Sequence, residues 1–170
     1  MSETESRSVV RSALRSAIRE SDSLLLKSYA VVGTLLAGFM ATLVVLALPL
    51  WINWTAEAGG DLVLLFRAGL LLAGVLAVGF TLAPLLFADR RRRDGRATVL
   101  RDRLYALSGY VFLLSIYLAL VVSAPPEFRD EPSGPLAPAI ELLYALPQEA
   151  AYAVLAGGML AVLASEYALD

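Results

Sequence analysis

Four long runs of apolar residues dominate the pattern of this 170-residue chain. They predict membrane spans at residues 29–51, 62–87, 104–124 and 150–168. A helix crosses the hydrocarbon core of a bilayer with about 20 residues, at a rise of about 1.5 Å each. The only charges inside these runs are Arg67 in the second and Glu166 in the fourth. The pattern therefore predicts an all-α integral membrane protein, a bundle of four transmembrane helices.

The first 27 residues are polar and follow a different period. Arginine recurs every four residues, at Arg7, Arg11, Arg15 and Arg19. Apolar residues recur at the same spacing, at Val10, Leu14 and Ile18. On a helix these residues form a basic stripe beside a narrow apolar stripe, which is typical of an amphipathic helix lying on an anionic leaflet. A solvated cytoplasmic helix is the alternative. The chain thus divides into a basic segment, 1–27, and a membrane domain, 28–170.

A proline-rich segment precedes the fourth run. Six of the eight prolines lie between Pro125 and Pro147, and they separate the apolar stretch Leu136–Leu146 from that run. The stretch is too short to cross a bilayer, which takes about 20 residues. We therefore expect a short interfacial or re-entrant helix on the outer side of the membrane.

The basic residues are divided very unevenly between the two sides of the predicted spans. Residues 1–28 and 88–103 together hold twelve Arg and Lys, whereas 52–61 and 125–149 hold only Arg129. Because Lys and Arg are retained in cytoplasmic loops, this bias places both termini in the cytoplasm. The predicted location is the cell membrane, crossed by several passes.

The composition excludes most familiar catalytic chemistry. Cysteine and histidine are absent, which removes thiolate zinc sites, disulfides, His-ligated haem and Ser–His–Asp triads. We therefore expect no cofactor, no metal and no catalytic residue. The net charge of −2 gives no basis for a nucleic-acid partner, and the basic residues cluster beside the membrane instead. The preference for Arg over Lys, with abundant Ala, Leu and Val, resembles that of a high-GC prokaryote.

Arg67 and Glu166 are the two candidate membrane-embedded charges. A charge inside a span is costly and marks a functional hypothesis. Arg67 lies about 9 Å inside the outer end of its run, counted at about 1.5 Å per residue. Its long side chain either extends to the outer headgroups or contacts an anionic solute. Glu166 is close to the cytoplasmic end of the fourth run, so we expect its carboxylate to extend to the interface.

Small residues recur every four positions in the fourth run, at Ala153, Gly157, Ala161 and Ser165. A face of small residues lets two helices approach closely. This face packs either inside the four-span bundle or against another protein.

A basic tract follows the second run, at Arg90, Arg91, Arg92 and Arg93. With the arginines of the first segment, it is a candidate contact for anionic lipid headgroups.

These features favour a small polytopic membrane protein that is a structural or interaction subunit of a membrane complex. Its expected partners are the lipid bilayer, anionic lipids, and either a second copy or another membrane protein. The alternative is a transporter or channel component that handles an anionic solute near Arg67. A lipid-modifying enzyme is the least favoured reading, because no catalytic set of residues is present.

Overall fold

The structure is a computed structural model that describes residues 3–57, 61–129 and 131–168, with side chains for 9–49, 68–129 and 131–168. In these ranges the chain is helical and has no strand. The helices are α1 (Glu3–Arg19), α2 (Leu24–Glu57), α3 (Asp61–Arg93), α4 (Val99–Ser123), α5 (Ala137–Tyr144) and α6 (Ala150–Tyr167), with a 3-10 turn at Pro126–Phe128.

Four of the helices are long and apolar enough to cross a membrane. The qualifying segments are Leu24–Pro49, Ala68–Arg93, Val99–Ser123 and Ala150–Tyr167. They confirm the all-helical class and indicate a multi-pass membrane protein. Large apolar side chains such as Leu35, Phe39 and Leu72 are exposed along α2 and α3. Apolar surface of this extent marks contact with lipid or with another protein.

The second and third helices are longer than the apolar runs that predicted them. α2 continues through Pro49 to Glu57, and α3 continues through the basic tract to Arg93. The arginines at 90–93 are therefore helical, and the connection to α4 is reduced to residues 94–98.

Gly95 explains why α3 ends where it does. Its φ of 68° is left-handed, a conformation that glycine adopts without a steric cost. The amide of Gly95 donates to the carbonyl of Arg92 at 3.0 Å, and the amide of Arg96 donates to that of Arg91 at 2.9 Å. This pair of bonds satisfies carbonyls that the helix end would otherwise leave without a donor.

Hydroxyl caps fix the starts of two helices. The Ser23 hydroxyl accepts the Leu26 amide at 3.4 Å at the start of α2. The Thr98 hydroxyl accepts the Arg101 amide at 3.3 Å at the start of α4. Each cap satisfies one of the amides that the first turn of a helix leaves without a partner.

The chain divides into two compact units, Met1–Ala106 and Leu107–Asp170. In the first unit, α1 packs on α2 and α3, and α2 packs on α3. A Cβ added at Gly74 on α3 would lie 2.7 Å from Cγ2 of Val44, so the two long helices approach closely there. In the second unit, α6 lies against α4, with the Ser108 and Ser165 hydroxyls 3.1 Å apart.

Candidate functional site at the end of the third helix

The most distinctive site of the first unit is where α1 meets the basic end of α3. α1 buries a face of small residues, Ala13, Ser16 and Ala17, and this face lets the helix pack closely on its neighbours. Small side chains lose little conformational entropy when they are buried. The helix is therefore fixed to the protein by a face that carries none of its arginines.

Two arginines of α3 bind two serines of α1. Nη1 of Arg92 donates to the Ser16 hydroxyl at 3.0 Å, and Nη2 of Arg93 donates to the Ser12 hydroxyl at 3.0 Å. The serines are one helical turn apart, so consecutive arginines reach consecutive turns of α1. Hydrogen bonds from a charged donor are about twice as strong as neutral ones.

Two aspartates hold these arginines in place. Asp102, in the first turn of α4, forms an ion pair with Arg92, and the two side chains are only 7% and 9% exposed. The Ser21 hydroxyl, just after α1, also donates to Asp102 at 2.6 Å. Asp89 pairs with Arg93 from one turn earlier on α3.

We call this group of residues the polar cluster. It comprises Ser12, Ser16, Ser21, Asp89, Arg92, Arg93 and Asp102. Each charge in it has an opposite charge as a partner, and its hydroxyls bond to the charged groups. These hydrogen bonds and ion pairs hold α1 and the start of α4 against the end of α3. Among the described residues there is no group of His, Cys, Asp or Glu that could hold a metal ion.

The four arginines of the basic tract differ in their exposure, and their contact with lipid headgroups stays a prediction. Arg90 is exposed, and so is most of Arg93. Arg91 is buried, and the Arg92 side chain lies inside the polar cluster. Helical geometry is the reason, because four consecutive residues point in four directions and two of these face the protein.

The described arginines of α1 are exposed, unlike Arg91 and Arg92 of α3. Arg11, Arg15 and Arg19 are all exposed, on the side away from the buried small residues. The Arg7 side chain lies outside the described residues. The apolar stripe is only partly covered, since Val10 and Leu14 are half-buried and Ile18 is 40% exposed.

Tyr29 joins α2 to α3 near a proline. Pro84, inside α3, has no amide to donate to the preceding turn. The Tyr29 hydroxyl donates to the Thr81 carbonyl in that turn at 2.6 Å, and the tyrosine is fully buried. This bond fixes α2 against α3 in the turn that precedes Pro84.

Arg129 organises the proline-rich segment of the second unit. Its guanidinium donates to the carbonyls of Ala124 and Tyr144, both at 2.9 Å, and to that of Val122 at 3.5 Å. It also lies 5.1 Å from the centre of the Tyr144 ring. One cation therefore satisfies carbonyls at the C-terminal ends of α4 and α5, where the helix dipole favours positive charge. The short helix predicted within Leu136–Leu146 is present as α5.

The small-residue face of α6 is offset from the one that packs inside the chain. Nothing lies within 4 Å of a Cβ added at Gly157, whereas one at Gly158 would be 2.6 Å from Cβ of Ser115 and 3.2 Å from Phe112. Ala153 and Gly157 are exposed, and Ala161 and Ser165 are half-buried. Close packing within the chain thus centres on Gly158, and contact of the Gly157 face with another protein stays a prediction.

The two candidate membrane charges are placed as follows. Glu166 is half-buried in the last turn of α6. Arg67 lies in the first turns of α3, and its side chain is outside the described residues.

The serines of the polar cluster were missed from the sequence, although a signal for them was present. Ser8, Ser12 and Ser16 recur every four residues, directly after Arg7, Arg11 and Arg15. A polar stripe of small residues next to a basic stripe indicates a face that is neither lipid-facing nor fully solvated. Asp89 precedes Arg93 by four residues, so their ion pair could have been predicted from helical spacing. Asp102 lies on the next helix, and only the fold brings it to Arg92.

Comparison with known proteins identifies a family. No curated protein and no solved structure matches the chain. A family model with the description "Domain of unknown function (DUF8056)" matches residues 1–170, and the chain belongs to that family.

Proposed function

We propose that the chain is a structural or interaction subunit of a membrane complex. The observation that carries the proposal is on α6, where two adjacent glycines have different environments. Gly158 is used for packing within the chain, and Gly157 presents open space beside the exposed Ala153. An open face of small residues on a membrane helix suits close contact with a helix of another protein.

The polar cluster supports the same proposal. Its charged and hydroxyl groups bond to one another, so they stabilise the position of α1 and are not arranged around a substrate. Both ion pairs have hydroxyl partners within the cluster, and we infer that they specify one position of α1.

We further propose that the protein crosses the cell membrane with four helices and has both termini in the cytoplasm. The twelve-to-one division of basic residues supports this orientation. It is tested by Ser133→Cys and Thr98→Cys, two exposed positions in a chain without cysteine. We expect an impermeant maleimide to label only the first in intact cells. Labelling of both variants from outside would contradict the orientation.

The contact face is tested by disulfide crosslinking in native membranes. Ala153→Cys introduces a single thiol on the exposed face, and we expect a crosslinked species larger than the 18.2 kDa chain. Gly157→Leu added to this variant should abolish the crosslink, because a bulky side chain separates the helices.

The matched control is Gly38→Leu, which changes another membrane glycine that has nothing within 4 Å of an added Cβ. It should leave the crosslink unchanged. A chain that stays monomeric in membranes and forms no crosslink to any protein would refute the proposal.

A transporter or channel component is the second candidate, and it rests on Arg67. Arg67 is the one cation in an otherwise uncharged apolar run. Arg67→Lys distinguishes a side chain that only contacts lipid headgroups from one that binds an anionic solute. Lysine reaches the headgroups as well as arginine does, but it lacks the planar guanidinium that binds an anion through two hydrogen bonds. Uptake of anions that is present in the wild type and lost in the lysine variant, at equal expression, would favour the transporter.

A further inference from the structure

α1 has three faces with three different compositions. The small face, Ala13, Ser16 and Ala17, is buried against the protein. The arginines Arg11, Arg15 and Arg19 form a second face, which is exposed. The residues Val10, Leu14 and Ile18 form a third face between these two, and it is covered only in part.

The faces that α1 buries and exposes differ from those of an ordinary surface helix. A surface helix of a soluble protein buries its apolar stripe and exposes its charges. α1 instead docks by alanine and serine, with Arg92 and Arg93 bonded to Ser16 and Ser12. The apolar stripe is therefore left for another contact, together with the arginines that lie beside it.

We propose that the outward surface of α1 binds the anionic headgroups and upper acyl region of the adjacent lipid leaflet while the helix stays docked on α3. Charge complementarity selects this occupant, because three exposed arginines one turn apart favour a surface of negative charge. The partly exposed Ile18 and Leu14 give the shallow apolar insertion that an interfacial helix needs. The polar cluster sets the rotation of the helix, so that this surface and not the small face meets the lipid.

The structure also assigns different roles to the arginines. Arg11, Arg15 and Arg19 bind lipid, whereas Arg92 orients α1 from within the protein. Each lipid-binding arginine contributes about a fivefold preference for an anionic leaflet, so three contribute on the order of a hundredfold.

A single fluorophore on the full-length chain tests the proposal. Because the chain has no cysteine, Ile18→Cys can be labelled alone with the environment-sensitive dye NBD. The labelled protein is reconstituted in nanodiscs of phosphatidylcholine alone, or of phosphatidylcholine with phosphatidylglycerol. We expect a blue-shifted, brighter emission in the anionic discs that reverts as salt rises toward 1 M, where the screening length falls to about 3 Å.

Two matched triple variants show which arginines cause the emission change in anionic nanodiscs. Arg11→Gln, Arg15→Gln and Arg19→Gln together should abolish the anionic shift. The control triple, Arg96→Gln, Arg101→Gln and Arg103→Gln, removes the same charge from the α3–α4 connection and the start of α4, and it should keep the shift. All of these arginines have exposed or half-exposed side chains, so the variants are expected to fold.

Three outcomes would overturn the proposal. The first is equal emission in neutral and anionic discs, and the second is equal loss of the shift in both triple variants. The third is an emission change that requires another protein and no anionic lipid, which would make this surface a protein contact. The readout needs no second subunit, so it is unaffected if the Gly157 face forms no crosslink.

Discussion

The adjacent glycines of α6 allow a stringent test of its packing. Gly158→Ala places a methyl group 2.6 Å from Cβ of Ser115, well inside the contact distance of two carbon atoms. The Ser115 hydroxyl cannot easily move aside, because it donates to the Phe112 carbonyl at 2.7 Å. Overpacking of this kind costs about 1–3 kcal/mol. Gly157→Ala meets nothing within 4 Å and should gain up to about 1 kcal/mol from the higher helix propensity of alanine.

Both substitutions gain the helix propensity of alanine, so the two single variants should differ by the overpacking cost alone, about 1–3 kcal/mol in the free energy of unfolding, with the Gly158 variant the less stable. Thermal unfolding of the purified protein in detergent, followed by far-ultraviolet circular dichroism, measures the difference. Ser115→Gly removes the opposing Cβ, so combined with Gly158→Ala it should restore part of the loss in a double-mutant cycle. Equal midpoints for Gly157→Ala and Gly158→Ala would refute the packing described for these helices.

Three further predictions concern the other contacts. Asp102→Asn leaves the buried Arg92 without its counter-charge and should lower the free energy of unfolding by about 3 kcal/mol, measured by the same thermal assay. Arg129→Lys cannot reach three carbonyls at once and should speed hydrogen exchange in α5 by about tenfold, measured by mass spectrometry. Tyr29→Phe removes the bond to the Thr81 carbonyl and should cost about 1 kcal/mol of stability.

Exposed residues of the same type are the controls for these variants. Asp94→Asn and Tyr117→Phe change side chains at exposed positions, and both should leave the thermal midpoint unchanged. Loss of stability in Asp94→Asn equal to that in Asp102→Asn would show that net charge, and not the pair with Arg92, governs the effect. Unaltered exchange of α5 in Arg129→Lys would show that α5 is held by other contacts.

The four apolar helices could be predicted from the sequence because bilayer thickness imposes a length that soluble helices rarely need. Their ends could not be predicted so well. Hydropathy reports where apolar residues stop, whereas a helix stops where its backbone finds a cap, and α3 reaches its cap only at Gly95. Hydropathy alone therefore does not show that the basic tract is part of α3.

The packing of α6 within the chain at Gly158 could not be predicted from the sequence, for a related reason. The helix is apolar on all sides, so its composition has no direction that marks the interior. Gly157 and its small neighbours recur strictly every four positions, whereas the buried residues Ala151, Gly158 and Val162 are seven and four positions apart, so regular spacing does not identify the buried face. The contact with Ser115 decides between the two faces, and only the fold brings that residue to α6.

The contacts of Arg129 in the proline-rich segment could not be predicted from the sequence either. In the sequence, Arg129 is the one exception to the charge bias between the two sides of the spans. Its bonds to carbonyls at two helix ends depend on turns that bring residues 124 and 144 together. Sequence spacing gives no measure of that distance.

The polar cluster also sets an order of events during synthesis. Ser16 and its partner Arg92 are 76 residues apart, so α1 leaves the ribosome long before the helix that holds it exists. At about 5–20 residues per second, the delay is on the order of 4–15 s. The contacts of the polar cluster with α1 therefore cannot be completed until α2, α3 and the start of α4 have been made.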